Sequence, residues 1–144
     1  MSTPEKKARI YFAGSIRGGR EDLEIYKELI TYLQTKGTVL TEHIGLDDLD
    51  DLNKEKKRTD VDIWERDMEW LYSCDVIVAE VTRPSLGVGY ELGIAEKIRK
   101  RVILLFRDDT GKQCSAMLTG NAHFKERITY TKVATACEQL DALL

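Results

Sequence analysis

Residues 75–97 read DVIVAEVTRPSLGVGYELGIAEK. The stretch opens on an apolar run of strand length, passes through a loop with Pro84, Ser85, Gly87 and Gly89, and enters a helical pattern. A strand of four to eight residues followed by a turn and a 3.6-residue period is a β–loop–α unit. The pattern starts the helix at about residue 90, which places Glu91 in its first turn, beyond a backbone that small residues leave open to approach.

The same alternation extends in both directions. Residues 9–13 (RIYFA) predict a first strand ending at Gly14-Ser15, and 21–36 repeat Leu23, Tyr26, Leu29/Ile30 and Leu33 at helical spacing, with Gly37 as the stop. Residues 38–42 (TVLTE) predict a second strand, 44–58 a polar connection, 59–73 a helix, and 75–81 the third strand. Beyond the helix at 90–99 come a strand at 101–106, a short helix near 114–120, and a strand at 127–131. A closing helix carries Val133, Ala136/Cys137, Leu140 and Leu143/Leu144 on one face. Strands separated by helices imply a parallel sheet covered on both faces. The expectation is an α/β, flavodoxin-like, doubly wound sheet of five parallel strands, forming one domain over residues 1–144. Ligands of such sheets bind beyond the carboxyl ends of the strands, near the switch point.

Composition narrows the function classes. The 144 residues are 42% hydrophobic and 33% charged, with a net charge of −3 and no broad basic face, which argues against polymeric nucleic acid as a partner. Apolar runs are only strand-length, so no membrane span is expected, and MSTPEKKAR has no apolar leader core. Cys74, Cys114 and Cys137 are odd in number and irregularly spaced, which suits a reducing compartment. The expected location is therefore the cytoplasm, with diffusion into a nucleus open to so small a chain. With only His43 and His123, no metal site is expected, and no cofactor.

The sheet rule selects two segments. After strand one comes GSIRGGR, where Gly14, Gly18 and Gly19 give the chain freedom to turn. Ser15 adds a hydroxyl, and Arg17 and Arg20 add forked cationic donors suited to phosphate. The segment is neither a Walker A loop nor Gly-x-Gly-x-x-Gly, so neither NTPase nor dinucleotide chemistry follows. A glycine turn with solvated arginines is the competing reading. After strand three, Ser85 can donate a hydrogen bond and Glu91 lies where a helix dipole favours an ionised carboxylate, which can attack an electrophilic carbon. Taken alone, that position favours a glutamate that merely stabilises its helix.

In DVDIWERDMEWLYS (60–73), Val61, Trp64, Met68 and Leu71 form the expected core stripe. Ile63, Asp67 and Trp70 form a second stripe, with one acid between two large apolar side chains. Occlusion there would favour the neutral acid and suit Asp67 to donate a proton. A surface acid or a subunit contact fits the spacing as well. One ionised and one protonatable carboxylate are what retaining glycosidic cleavage requires. Together with a phosphate cradle they suggest a nucleotide substrate.

The blocks YFAGSIRGGRED (11–22), GTVLTEH (37–43), ERDMEWL (65–71), DVIVAEVTRPSLGVGYELG (75–93) and CSAMLTG (114–120) resemble the 2'-deoxynucleoside 5'-phosphate N-hydrolases. These are relatives of the nucleoside 2-deoxyribosyltransferases. The resemblance implies cleavage of a deoxynucleoside monophosphate into free base and 2-deoxyribose 5-phosphate. It implies Glu91 as the nucleophile, Asp67 as acid/base or orienting group, and Tyr11 as a hydrogen-bond partner of Glu91. Gly14, Ser15, Ile16, Arg17, Gly18, Gly19 and Arg20, with Ser85 and Gly87, would hold phosphate and sugar. His43 would lie near base or sugar. It further implies a homodimer in which Ser115, Ala116 and Met117 reach the neighbouring subunit's site. The competing functions are a deoxyribosyltransferase, in which a second base captures the intermediate, and a non-catalytic nucleotide-binding module.

Overall fold

The computed structural model describes residues 7–16, 20–42, 58–108 and 111–144. Five strands, β1 (Ala8–Ala13), β2 (Gly37–Leu40), β3 (Val76–Glu80), β4 (Val102–Arg107) and β5 (Glu126–Tyr130), form one sheet in the order β2–β1–β3–β4–β5. Every pairing is parallel. Among the described residues five α-helices connect or follow them: α1 (Arg20–Gln34), α2 (Asp60–Ser73), α3 (Leu86–Lys97), a single turn α4 (Ala116–Thr119), and α5 (Val133–Leu143). The strand order is that of a flavodoxin-like sheet, whose switch point lies between β1 and β3. The expected fold class is the observed one.

Strand parity sorts the core into two layers. Ile10, Phe12, Val76, Val78, Ile103 and Leu105 face one way and pack with Tyr26, Leu29 and Leu33 of α1 and Ala136 and Leu140 of α5. Tyr11, Ala13, Ile77, Ala79, Val102 and Leu104 face the other way, against Met68 and Leu71 of α2 and Val88, Leu92 and Ala95 of α3. Because successive strand side chains alternate, this parity carries the Tyr11 ring to the α2/α3 layer. It also turns Glu80 and Arg107 towards α1.

Three expectations are corrected. First, α3 begins at Leu86 rather than 90, because the Ser85 hydroxyl caps it by accepting from the Val88 N–H at 3.3 Å. Gly87 and Gly89 therefore lie in the first helical turn, and Glu91 in the second. Second, Gly37 does not terminate α1, which ends at Gln34; it is the first residue of β2. A Cβ there would stand 2.3 Å from the Ala8 carbonyl oxygen, so glycine lets β2 lie against β1. Third, Val61 and Trp64 are exposed (62% and 54%), whereas Asp67, Met68 and Leu71 are buried. The helix starts at a capping box between Thr59 and Asp62, and only its second half rests on the sheet. The polar connection expected at 44–58 lies almost wholly outside the described residues. Among the described residues no helix is long and apolar enough to cross a membrane.

Candidate active site

At the carboxyl ends of β1, β2 and β3, three acids converge on one tyrosine. Tyr11, 2% exposed, donates a hydrogen bond to Glu91, and burial with the adjacent Glu91 and Asp67 charges pushes its ionisation far upward. It is thus held as a neutral phenol. Glu91 is pushed up to about 7, chiefly by desolvation; the Tyr11 hydrogen bond opposes this and the Asp67 charge adds to it. Its Oε2 is buried with no hydrogen-bond partner among the described residues. The sequence expectation of a carboxylate held ionised by a helix dipole is corrected here. Glu91 sits past the first turn, where the dipole has faded, and burial is the dominant influence.

Asp67 is 7% exposed, which removes the surface reading. It accepts from Arg66 Nε at 3.1 Å, and Arg66 also reaches Glu42 Oε1 at 3.1 Å. The Arg66 guanidinium lies 4.6 Å from the centroid of the Trp70 ring, which meets the Tyr11 ring edge-on at 6.0 Å. Asp67 and Glu91 share a cleft of about 190 Å³ with Asp60, Ile63, Trp64, Met68, Gly87 and Tyr90. A Cβ on Gly87 would approach only Ser85 Oγ, at 3.9 Å, and one on Gly89 would meet nothing within 4 Å. Each helical glycine costs about 1 kcal/mol relative to alanine, and packing does not require either residue. Their effect is a bare helix surface beside Glu91.

The glycine turn after β1 is only partly described. Arg17, Gly18, Gly19 and His43 lie outside the described residues, as does the side chain of Arg20. Gly14 has a structural reason: a Cβ would stand 3.1 Å from the Tyr26 ring. The Ser15 N–H donates to the Tyr26 hydroxyl at 3.2 Å, and Ser15 is buried. Ile16 is 61% exposed.

Beneath this turn lies a polar cluster that the sequence reading did not find. Asp22, near the start of α1 and 1% exposed, accepts from Arg107 at 2.9 Å and from Arg83 Nε at 2.6 Å. Burial raises its proton affinity, yet hydrogen bonds and charge from the two arginines lower it further, so the net shift is downward. Glu80 completes the cluster, accepting from the Thr82 N–H at 2.7 Å and from the Tyr130 hydroxyl. Arg83 thus ties the loop after β3 to the helix after β1. Replacing Asp22 with Ala removes the carboxylate that both Arg107 and Arg83 bond, and should cost about 3–5 kcal/mol in urea unfolding. A loss under about 1 kcal/mol would show that the cluster does not hold these loops.

The remaining expected residues lie across the N-terminal turn of α3. Ser85 shares a second cleft, about 410 Å³, with Arg83, Leu86, Gln113, Cys114, Ser115 and Met117 among others. The Ser115 hydroxyl accepts from the Met117 N–H at 3.3 Å, and Ser115, Ala116 and Met117 are exposed. The chain thus brings Tyr11, Asp67, Gly87 and Glu91 together, and places Ser85 and Ser115–Met117 on the adjoining face. Glu42 was the missed member of the site. The signal was present: it follows strand two at its carboxyl end, where the same positional rule selects residues. Among the described residues no group of three or more His, Cys, Asp or Glu side chains could hold a metal ion.

The chain matches known proteins over most of its length. Residues 10–140 match the family described as nucleoside 2-deoxyribosyltransferase. A 5-hydroxymethyl-dUMP N-hydrolase from Danio rerio is 55% identical over 111 residues, covering 77% of each chain. One from Tetraodon nigroviridis is 51% identical over 112 residues, covering 78% of this chain and 79% of the relative. Among solved structures, a CMP N-glycosidase from Clostridium botulinum superposes with a TM-score of 0.67 at 21% identity, covering 94% of this chain and 99% of that one, and so supports the fold. The chain belongs to the nucleoside 2-deoxyribosyltransferase family and is an N-glycoside hydrolase within it.

Proposed function

We propose that the protein hydrolyses 2'-deoxynucleoside 5'-monophosphates to free base and 2-deoxyribose 5-phosphate, with 5-hydroxymethyl-dUMP as a leading substrate. The observation that carries this reading is Glu91: one oxygen takes the Tyr11 hydrogen bond, and Oε2 is buried with no partner among the described residues, beside a cleft containing Asp67. Glu91 Oε2 attacks C1' of the sugar as Asp67 protonates the departing base. Water, deprotonated by Asp67, then cleaves the glycosyl ester. A buried carboxylate without solvating donors is a stronger nucleophile than a hydrated one, and Tyr11 keeps it oriented.

The glycine turn with Arg17 and Arg20 would hold the 5'-phosphate. The exposed segment Ser115, Ala116 and Met117 would complete the site of a second subunit in a homodimer. Incubation with deoxynucleotides, ribonucleotides and the matching nucleosides, followed by chromatography of released base, tests the reading. Removing the 5'-phosphate should lower kcat/KM at least about 100-fold, the worth of two hydrogen bonds to a charged group at about 1.5 kcal/mol each. Equal rates on nucleoside and nucleotide would overturn the phosphate assignment. A transferase would instead place added free base in a new nucleotide at the expense of 2-deoxyribose 5-phosphate.

A further inference from the structure

Trp64, placed in the core by its spacing, is instead 54% exposed. A single bare aromatic ring says little by itself; its position says more. Trp64 lines the cleft of about 190 Å³ that also holds Asp67 and Glu91. That cleft is a groove between two helices, with Ile63, Trp64 and Asp67 from α2 facing Gly87, Tyr90 and Glu91 from α3. Residues three apart are neighbours on one helix face, so Trp64 stands one turn before Asp67. Trp70, about one turn after Asp67, is a different kind of residue: the Arg66 guanidinium and the edge of Tyr11 cover it. Among the described residues no ring or cation covers Trp64 in this way.

We propose that Trp64 is the stacking platform for the nucleobase, a specificity-determining residue that holds the planar leaving group against α2 while Asp67 protonates it. Reaction geometry selects this wall of the groove over the other. A carboxylate that attacks C1' approaches from the face opposite the departing base. The base therefore lies across C1' from Glu91, on the α2 side, where Asp67 can reach it. Trp64 is the aromatic side chain on that side, whereas Tyr90, also 54% exposed, shares its helix with the nucleophile. Size agrees. At about 190 Å³ the groove is smaller than the roughly 300–1,000 Å³ that encloses a drug-sized ligand, and suits one ring system beside the two carboxylates. Every base has a π-face, so stacking on Trp64 selects for a planar group and leaves the choice among bases to hydrogen bonds made elsewhere.

This rests on the reaction proposed above, so the test measures binding apart from turnover. Calorimetric titration of Glu91→Gln with 5-hydroxymethyl-dUMP and with 2-deoxyribose 5-phosphate compares a ligand that carries a base with one that lacks it. Adding Trp64→Leu should weaken 5-hydroxymethyl-dUMP at least about fivefold, the lower end of the usual cost of removing a stacked aromatic, and change 2-deoxyribose 5-phosphate less than about twofold. Trp64→Phe should recover most of the loss. Tyr90→Leu should leave the ratio of the two affinities unchanged. Full nucleotide affinity in Trp64→Leu, or an equal loss on both ligands, would overturn the platform. Sedimentation of the same proteins tests a rival role: a weakened dimer with full nucleotide affinity would make Trp64 a contact between copies instead. Fluorescence gives a reading that holds whether or not Trp64→Leu folds. The chain has two tryptophans, so emission from Trp70→Phe reports Trp64 alone. Saturating 5-hydroxymethyl-dUMP should quench that emission and 2-deoxyribose 5-phosphate should not; no quenching by the nucleotide would rule the platform out. Base-dependent binding in a protein that releases no base would count against the reaction and leave the platform standing, and binding of neither ligand would count against both.

Discussion

Glu91→Gln should release base from deoxynucleotides at least about 10⁴-fold more slowly than wild type, because the amide offers no nucleophile to C1'. The same substitution should make the protein more stable above neutral pH. A carboxyl whose folded value is raised from 4.5 to about 7 contributes its full stability below the unfolded value. That contribution is lost as pH rises through about 7. A shift of this size corresponds to about 3 kcal/mol once the group is ionised in both states. Denaturant unfolding at pH 8 should therefore favour Glu91→Gln by up to that amount, with the difference largely gone near pH 4. Slow turnover combined with raised stability at pH 8 identifies a strained nucleophile. A variant equally stable at both pH values would mean that Glu91 is not held desolvated.

Asp67→Asn has the second largest expected effect, about 10²- to 10⁴-fold on kcat, the usual worth of a positioned acid–base group. The loss should be greatest for bases that leave poorly. Substrate binding is a separate function in this arrangement, so KM should change little. A large rise in KM at constant kcat would instead make Asp67 a sugar-binding group.

Much of this arrangement is legible before any coordinates. Alternation of strand-length apolar runs with helical periods gives the parallel sheet, and the rule that ligands gather at carboxyl strand ends picks out the glycine turn after β1 and the segment carrying Glu91, whereas Tyr11, inside β1, enters through the family resemblance alone. Helix boundaries are less legible. Glycine at 87 and 89 reads locally as loop, yet the Ser85 cap starts α3 at Leu86. Glycine at 37 reads as a helix stop, while the Ala8 carbonyl oxygen explains it through contact with a distant strand.

Charge is less legible still. The ionisation of Glu91 follows from burial produced by the assembled layers, which no local motif records. The Asp22–Arg107 and Asp22–Arg83 pairs join residues 85 and 61 positions apart. Val61 and Trp64 lie on an apolar stripe, but the helix leaves the sheet before reaching them, so periodicity alone overstates the core.

The central claim is that Glu91 becomes covalently joined to the sugar. Rapid acid quench of the enzyme during turnover of a 5'-phosphorylated deoxynucleotide, followed by peptide mass spectrometry, tests it directly. The account predicts a 5-phospho-2-deoxyribosyl ester on the peptide containing Glu91, lost in Glu91→Gln. The same ester found on another side chain, with Glu91 unmodified, would contradict it.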